Sequence, residues 1–332
     1  LSLALCGCDG FMGLSFGGGT SETNGVFVFV AKDTQNPYMK KVYEGFESAC
    51  ADAGVKAVYD GPKTVDPQKQ VKVIEELIED GVDGIAVAAN DVDALEEPLQ
   101  KAMDAGIQVI SLDSAVNADS RMTHIQQADP EKIGRGLIQA AYEMVNGNGG
   151  IAILSTTENA TNQSLWVDYM LLELEENEQK YKNTPLITIA YGEDDSNKSE
   201  DAAEELLKNP DIDVIVAPTC VGLLAAAKVL KKKKSNVCLT GLGLPSEMAQ
   251  YIEDGTCEWM YLWNPVDIGY LAGYTLKALH DGEITGAGGD TFKAGKLGEK
   301  TVTAASDGGT EVMLGEPFKF DKYNIYEWKD IY

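Results

Sequence analysis

The stretch Ala160-Thr161-Asn162-Gln163-Ser164-Leu165-Trp166 decides how this chain reads. Before it, Ile151-Ala152-Ile153-Leu154 is a short apolar run of the kind that forms a buried strand. After it, Asp168-Tyr169-Met170-Leu171-Leu172-Glu173-Leu174 reads as helix. The stretch is therefore a strand-to-helix turn, and in an open parallel sheet ligands collect at the carboxyl ends of strands. Asn162 and Gln163 each donate and accept hydrogen bonds. Trp166, three and four residues further on, shares their helix face. Two amides and an indole on one face suit a small ligand with hydroxyls and an apolar side. A Thr161 N-cap beside a core tryptophan is the alternative for this turn on its own.

Outward from that turn the same alternation repeats. Val26–Val30 is an apolar strand, and Val42, Phe46, Ala49 and Ala53 have helical spacing up to Gly54. Val55–Tyr59 is a second strand, and Pro67 opens a helix that ends at Gly81. Asp83–Ala88 is strand, Asp93–Ala105 helix, and Ile107–Leu112 strand. Asp113–Thr123 has no period. The pattern then restarts with a helix over Pro130–Val145 and continues to a helix over Val266–His280. Strands alternating with helices predict parallel sheets covered on both faces. The expected class is α/β, with two doubly wound lobes and a cleft between them. The last fifty or so residues are Gly-rich with short strand-like pieces, Lys300–Thr303 and Glu311–Leu314.

The 332 residues carry 27 basic and 53 acidic side chains, a net charge of −26. That length suits two domains, and that charge excludes a nucleic-acid partner, which requires a basic footprint. Leu1-Ser2-Leu3-Ala4-Leu5-Cys6-Gly7-Cys8 is too short to span a bilayer. It reads as the tail of a secretory signal. Leu5-Cys6-Gly7-Cys8 resembles a bacterial lipobox, which makes Cys8 the expected lipidation site and Asp9–Gly25 a flexible tether. The expected location is extracytoplasmic, lipid-anchored to the cell membrane. Cys50, Cys220, Cys238 and Cys257 are widely spaced without C-x-x-C, so neither a metal nor a redox site is expected, and their pairing is open.

The residues that follow each strand form the candidate site. They are Lys32, Asp33, Asn36 and Tyr38; Asn90 and Asp91; Asp113 and Ser114; Asn162, Gln163 and Trp166; Pro218, Thr219 and Cys220; Leu242 and Gly243; Trp263 and Asn264. Turns are polar anyway, so the weight lies in their concentration on one edge from both halves. Catalytic motifs are poor. Gly13-Leu14-Ser15-Phe16-Gly17 matches G-x-S-x-G but precedes the first strand. His124 and His280 lack metal-ligand neighbours, and there is no phosphate-binding loop. A Schiff base at Lys32 is conceivable, but an ion-paired clamp with Asp113 is simpler. No enzyme activity, catalytic residue, cofactor or metal is expected.

Asp83–Val87, Ala105–Asp113 and Gly241-Leu242-Gly243-Leu244-Pro245 resemble the type I, sugar-binding periplasmic proteins that deliver ligand to ABC importers. Ala160–Trp166, Val216-Ala217-Pro218, Leu262-Trp263-Asn264-Pro265, Tyr59-Asp60-Gly61-Pro62 and Gly315-Glu316-Pro317-Phe318 are most similar to the branch of autoinducer-2 receptors and rhamnose-binding proteins. The resemblance covers nearly all of the chain from Val26. It implies a monomer with a sugar-like ligand and a membrane permease as partners. Lys32, Asp113, Gln163 and the Pro218 carbonyl would hold the ligand, with Trp166 and Trp263 as apolar walls. The strand-end residues Asp33, Tyr38, Asn90, Asn162, Cys220 and Asn264 complete the expected site. Asn162 stands where the enteric autoinducer-2 receptor type has Asp, and Cys220 where it has Ala, which leaves autoinducer-2 and rhamnose both open. The resemblance also implies three crossovers, near Asn117–Thr123, Gly243–Pro245 and Gly286–Thr291. The lobes would then be 26–118 with 244–288, and 119–243 with 289–332, after a leader and tether over 1–25. A transcriptional regulator on the same lobes needs a helix-turn-helix before Val26, and that stretch has no such pattern.

Overall fold

A computed structural model describes residues 25–158 and 160–332. Cys8 and the rest of the lipobox and tether lie outside the described residues. The first half runs β1 (Val26–Val30), α1 (Pro37–Ala53), β2 (Lys56–Asp60), α2 (Pro67–Asp80), β3 (Gly84–Val87), α3 (Val92–Asp104), β4 (Gln108–Leu112) and β5 (Thr123–Gln126). The second runs α4 (Pro130–Met144), β6 (Gly150–Ser155), α5 (Thr161–Glu176), α6 (Glu178–Tyr181), β7 (Leu186–Tyr191), α7 (Ser196–Leu206), β8 (Ile212–Ala217), α8 (Cys220–Lys233), β9 (Cys238–Gly241), α9 (Pro245–Glu253) and β10 (Trp259–Leu262). The chain closes with α10 (Pro265–His280), β11 (Thr291–Lys293), β12 (Glu299–Thr301), β13 (Thr303–Ala304), β14 (Thr310–Met313), β15 (Phe318–Asp321) and α11 (Ile325–Trp328).

Among the described residues, one sheet has the order β13-β14-β5-β4-β3-β1-β2 and another β7-β6-β8-β9. A parallel bridge from Leu242 to Tyr261 joins β10 to β9, and β15 pairs antiparallel with β10. Both sheets thus repeat the order second-first-third-fourth-fifth, the doubly wound arrangement expected from the alternation. The alternation of side chains along β1 shows why it is central. Phe27 and Phe29 point into one apolar layer with Phe46 of α1 and Leu271 of α10, and Val28 and Val30 into another with Ile74 and Leu99 of α2 and α3. All four strand residues are fully buried, which a parallel strand covered on both faces requires.

The ends of the first helices follow from single residues. The Asn36 side chain accepts from the N–H groups of Tyr38 and Met39, and Pro37 occupies the first turn. Gly54 and Gly81 close α1 and α2 in left-handed conformation, at φ of 70° and 67°, which glycine adopts with no Cβ penalty. α10 crosses α1 so closely that a Cβ at Gly45 would lie 1.7 Å from the Val266 carbonyl oxygen, and one at Gly269 1.7 Å from that of Val42.

The sheet pairing moves all three expected crossovers. β5 pairs with β4 and with β14, so residues 123–126 belong to the first sheet and the chain leaves it between Gln126 and Pro130. The boundary expected after residue 118 is therefore too early. α9 and β10 stay with the second sheet through the bridge at Tyr261 and packing on α8, so the return comes at Trp263–Asn264 rather than Gly243–Pro245. β13 and β14 join the first sheet, and the last crossing lies between Met313 and Phe318 rather than at Gly286–Thr291. In each case the irregular sequence that looked like a connection is a turn within one lobe. Pairing with a distant strand, which leaves no local pattern, decides the crossing.

Candidate functional site

The site grows from the carboxyl end of β1. Ala31 and Lys32 leave the strand beside β3, where the fully buried Gln70 ties the two ends together. Its Nε2 donates to the carbonyls of Ala31 (3.2 Å) and Ala88 (2.7 Å), and its Oε1 accepts from the Asn90 N–H at 2.8 Å. Asn90 Nδ2 in turn donates to the Lys32 carbonyl at 3.0 Å. The backbone that carries Lys32 is therefore fixed before any ligand arrives. Lys32 Nζ lies 3.1 Å from Asp113 Oδ2, with the two side chains 18% and 7% exposed.

Asp113 follows β4 with a φ of +60°, an uncommon conformation for a non-glycine residue, though one Asp tolerates. Gln127, just beyond β5, donates to the Asp113 carbonyl at 3.3 Å, and the Ser114 hydroxyl reaches Asp113 Oδ2 at 3.4 Å. The residue just past this strand, which has no period in the sequence, thus braces the backbone that carries the central carboxylate.

The opposite wall is the start of α5. Ala160 is its N-cap and has no side chain that caps the helix, while Thr161 is already helical. The Thr161 cap expected as an alternative does not form, and the Asn162 side-chain oxygen accepts from the Gln163 N–H at 3.1 Å instead. Asn162 Nδ2 stands 3.5 Å from Asp113 Oδ2, so the two walls meet there. Gly134 lets α4 and α5 touch, since a Cβ there would come within 2.4 Å of the Trp166 carbonyl. Arg135 of α4 joins the same helices through Glu173 and Glu176 of α5, and is steadied by Glu131 on its own helix. Burial opposes charge on Glu173, yet hydrogen bonds from Tyr181, Gln139 and Arg135 keep its carboxyl below the usual range. Trp166 is consequently fixed, 2% exposed, with its ring 5.7 Å from that of Trp263.

Trp263 donates its Nε1–H to the Tyr38 hydroxyl at 2.6 Å, and their rings meet edge-on at 6.5 Å. Burial, then the charge of Asp113, pushes the Tyr38 phenol well above its ordinary pKa. It stays protonated and keeps its own hydrogen to donate. Burial likewise pushes the Cys220 thiol up, reinforced by Glu247, Asp194 and Asp113, which removes it from nucleophilic chemistry.

These groups line one cleft of about 540 Å³, a figure that includes its open mouth. Lys32, Asp33, Tyr38, Asp113, Asn162, Gln163, Trp166, Pro218, Cys220 and Trp263 all contribute to it. Of the strand-end candidates, Asn90, Asp91, Ser114, Gly243 and Asn264 do not. Asn90 props the Lys32 backbone from behind, and Asn264 caps α10, accepting from the N–H groups of Val266 and Asp267. Asn36, Thr219 and Leu242, also among the strand-end candidates, line the cavity too. Asp194 lines it and was missed. Its carboxyl accepts from the Thr219 hydroxyl at 2.9 Å, and burial raises its pKa. Its sequence signal is that Gly192-Glu193-Asp194 directly follows the end of β7.

Comparison with known proteins gives the family of the fold. The profile of the periplasmic binding protein domain matches residues 27–284. An ABC transporter solute-binding protein from Clostridium phytofermentas, solved with bound L-rhamnose, is 43% identical with a TM-score of 0.89, over 93% of this chain and 99% of that one. LsrB from Clostridium saccharobutylicum, in complex with AI-2, is 23% identical with a TM-score of 0.84, over 91% of this chain and 99% of that one, a likeness of fold. The fructose import binding protein FruE of Bifidobacterium longum is 27% identical over 152 residues, 45% of this chain and 44% of that protein. The chain matches less than half the length of that relative.

Proposed function

The chain belongs to the periplasmic binding protein family, and on that premise we propose that it is the sugar receptor of an ABC importer, with a neutral deoxyhexose of the L-rhamnose type as ligand. One observation carries the reading. A single cavity sets the Lys32–Asp113 pair against the indoles of Trp166 and Trp263 and the amides of Asn162 and Gln163. A pyranose offers hydroxyls around its rim and an apolar C–H face. Hydroxyls bound to charged groups contribute about 1.5–3 kcal/mol each, and aromatic walls bury the apolar face. The relative with bound L-rhamnose supports this choice among sugars.

Autoinducer-2 is the second reading, favoured by Lys32, Asp113, Gln163 and Pro218 lying in one cavity. The amide at Asn162 sets it behind rhamnose. Residues 26–126 with the α10 to β14 segment form one lobe in this reading, and residues 130–262 with the last strand and helix form the other. Ligand contacts both walls and favours the closed state, which the permease reads. A lipid on Cys8 would hold the receptor at the outer face of the membrane. No catalytic step is proposed, because Tyr38 and Cys220 are held protonated and Lys32 is ion-paired.

The test is calorimetric titration of the purified chain with L-rhamnose, autoinducer-2, ribose, xylose and galactose. L-rhamnose is expected to bind in the micromolar range or tighter, about −8 kcal/mol. Silence across the panel sinks the sugar reading, and binding of autoinducer-2 alone reverses the order. For the anchor, wild-type protein made in a bacterial host should partition into detergent, and Cys8→Ser should release it to the aqueous phase.

A further inference from the structure

We propose that Asp194 is the carboxylate of the second wall, taking ligand hydroxyls from the side opposite Asp113 and restricting the cavity to neutral polyhydroxy ligands. This rests on the sugar-binding reading above. The first wall supplies Asp33, Asp113 and Lys32. On the second wall Asn162 and Gln163 are neutral, and Asp194 is the one carboxylate among the described residues that line it.

The backbone aims it there. Glu193 and Asp194 are consecutive non-glycine residues at φ of 52° and 53°. Left-handed backbone is unfavourable for L-residues, and such strain persists where the surroundings impose it, commonly at ligand sites. Here the turn is bolted to the end of β6, with Gly192 N–H donating to the Ser155 carbonyl at 2.9 Å and Glu193 N–H to that of Thr156 at 2.8 Å. Thr219 Oγ1 donates to Asp194 Oδ1 at 2.9 Å, which fixes the carboxyl plane. Among the described residues no hydrogen bond reaches Oδ2, the atom left to a ligand. With Asp194 counted, the cavity holds three carboxyl groups against one ammonium. An anionic sugar such as a uronate meets repulsion, whereas neutral hydroxyls find acceptors on both sides.

The test is titration of the full chain and of Asp194→Asn with L-rhamnose and its 2-, 3- and 4-deoxy analogues, with melting of the free proteins alongside. Asn tolerates the left-handed backbone and keeps an acceptor for Thr219, so the free variant should melt with the wild type. Its affinity for L-rhamnose should fall roughly tenfold or more, the loss of a charge-assisted hydrogen bond. That loss should vanish for the one analogue lacking the hydroxyl that Asp194 holds. Undiminished L-rhamnose binding by Asp194→Asn overturns the inference while leaving the sugar reading intact. A loss equal for every analogue also overturns it, because a structural residue acts on all ligands alike. A wild-type chain that ignores L-rhamnose defeats the rhamnose reading and this inference with it.

Discussion

The two walls of the cavity are built from the same α/β unit but hold their side chains in different ways. On the first wall, charge is fixed within one sheet. Lys32 and Asp113 face each other from β1 and β4, backed by Gln70, Asn90 and Gln127. On the second wall, the α5 start presents amides and an indole, and its position depends on helix packing at Gly134 and on the Arg135 network. Both partners of the first wall's pair follow strands of one sheet, whereas the contact of Asn162 with Asp113 joins residues of the two sheets. Preorganised charge lowers the cost of binding.

Breaking the first wall should have the largest effect. Asp113→Asn leaves Lys32 half-buried without its partner, and L-rhamnose binding should fall by about 2–5 kcal/mol in titration. Asn is the better probe than Ala, because φ at this position is +60°. Retained affinity would move the ligand's anchor to the second wall.

The brace behind that wall should show in acid. His124 of β5 is buried against Ser111, with Nδ1 2.8 Å from its hydroxyl. Burial, then the charge of Arg121, lowers its pKa to about 3, against opposing contributions from Asp307, Gln126 and Ser111. A histidine depressed in the fold binds its proton more readily unfolded. The stability it gives is therefore complete above about pH 6.5 and lost as pH falls toward 3. By pH 4.5 the loss should reach about 2–3 kcal/mol relative to pH 7. Thermal melting of His124→Gln should show a shallower acid slope than the wild type, and equal slopes would remove His124 as the cause.

Making the walls alike is the third test. Asn162→Asp sets a second carboxylate against Asp113, and like charges at that distance disfavour the closed state. L-rhamnose affinity should drop about tenfold, about 1.4 kcal/mol. A gain instead would mean that the second wall accepts fixed charge beyond Asp194. Tyr38→Phe should have the smallest effect. It removes the acceptor of the Trp263 indole N–H and should cost about 1 kcal/mol of stability, visible as a lower Tm. No change would mean that water satisfies the indole.

Much of the site was legible because strand ends can be located from local periodicity. Val26–Val30, Gln108–Leu112 and Gly150–Ser155 announce themselves as apolar runs, so Lys32, Asp113 and Asn162 could be placed beside one another. Asn90 and Asn264 were over-read for the same reason, since a polar residue after a strand is as often a prop or a cap. Asp194 lay at a strand end too, but only the left-handed turn at Glu193–Asp194 shows that its carboxyl faces the cavity.

The sequence by itself determined the α/β class, the doubly wound lobes and most of the residues on the cleft edge. Those features follow from hydrophobic period and turn chemistry, which are local. Only the tertiary structure decided where the chain crosses between sheets, that Thr123–Gln126 is a strand, and which carboxylate serves the second wall. These depend on partners far away in the chain. β5 is held by β4 and β14, and Asp194 by Thr219, and no window of sequence contains both members of such a pair.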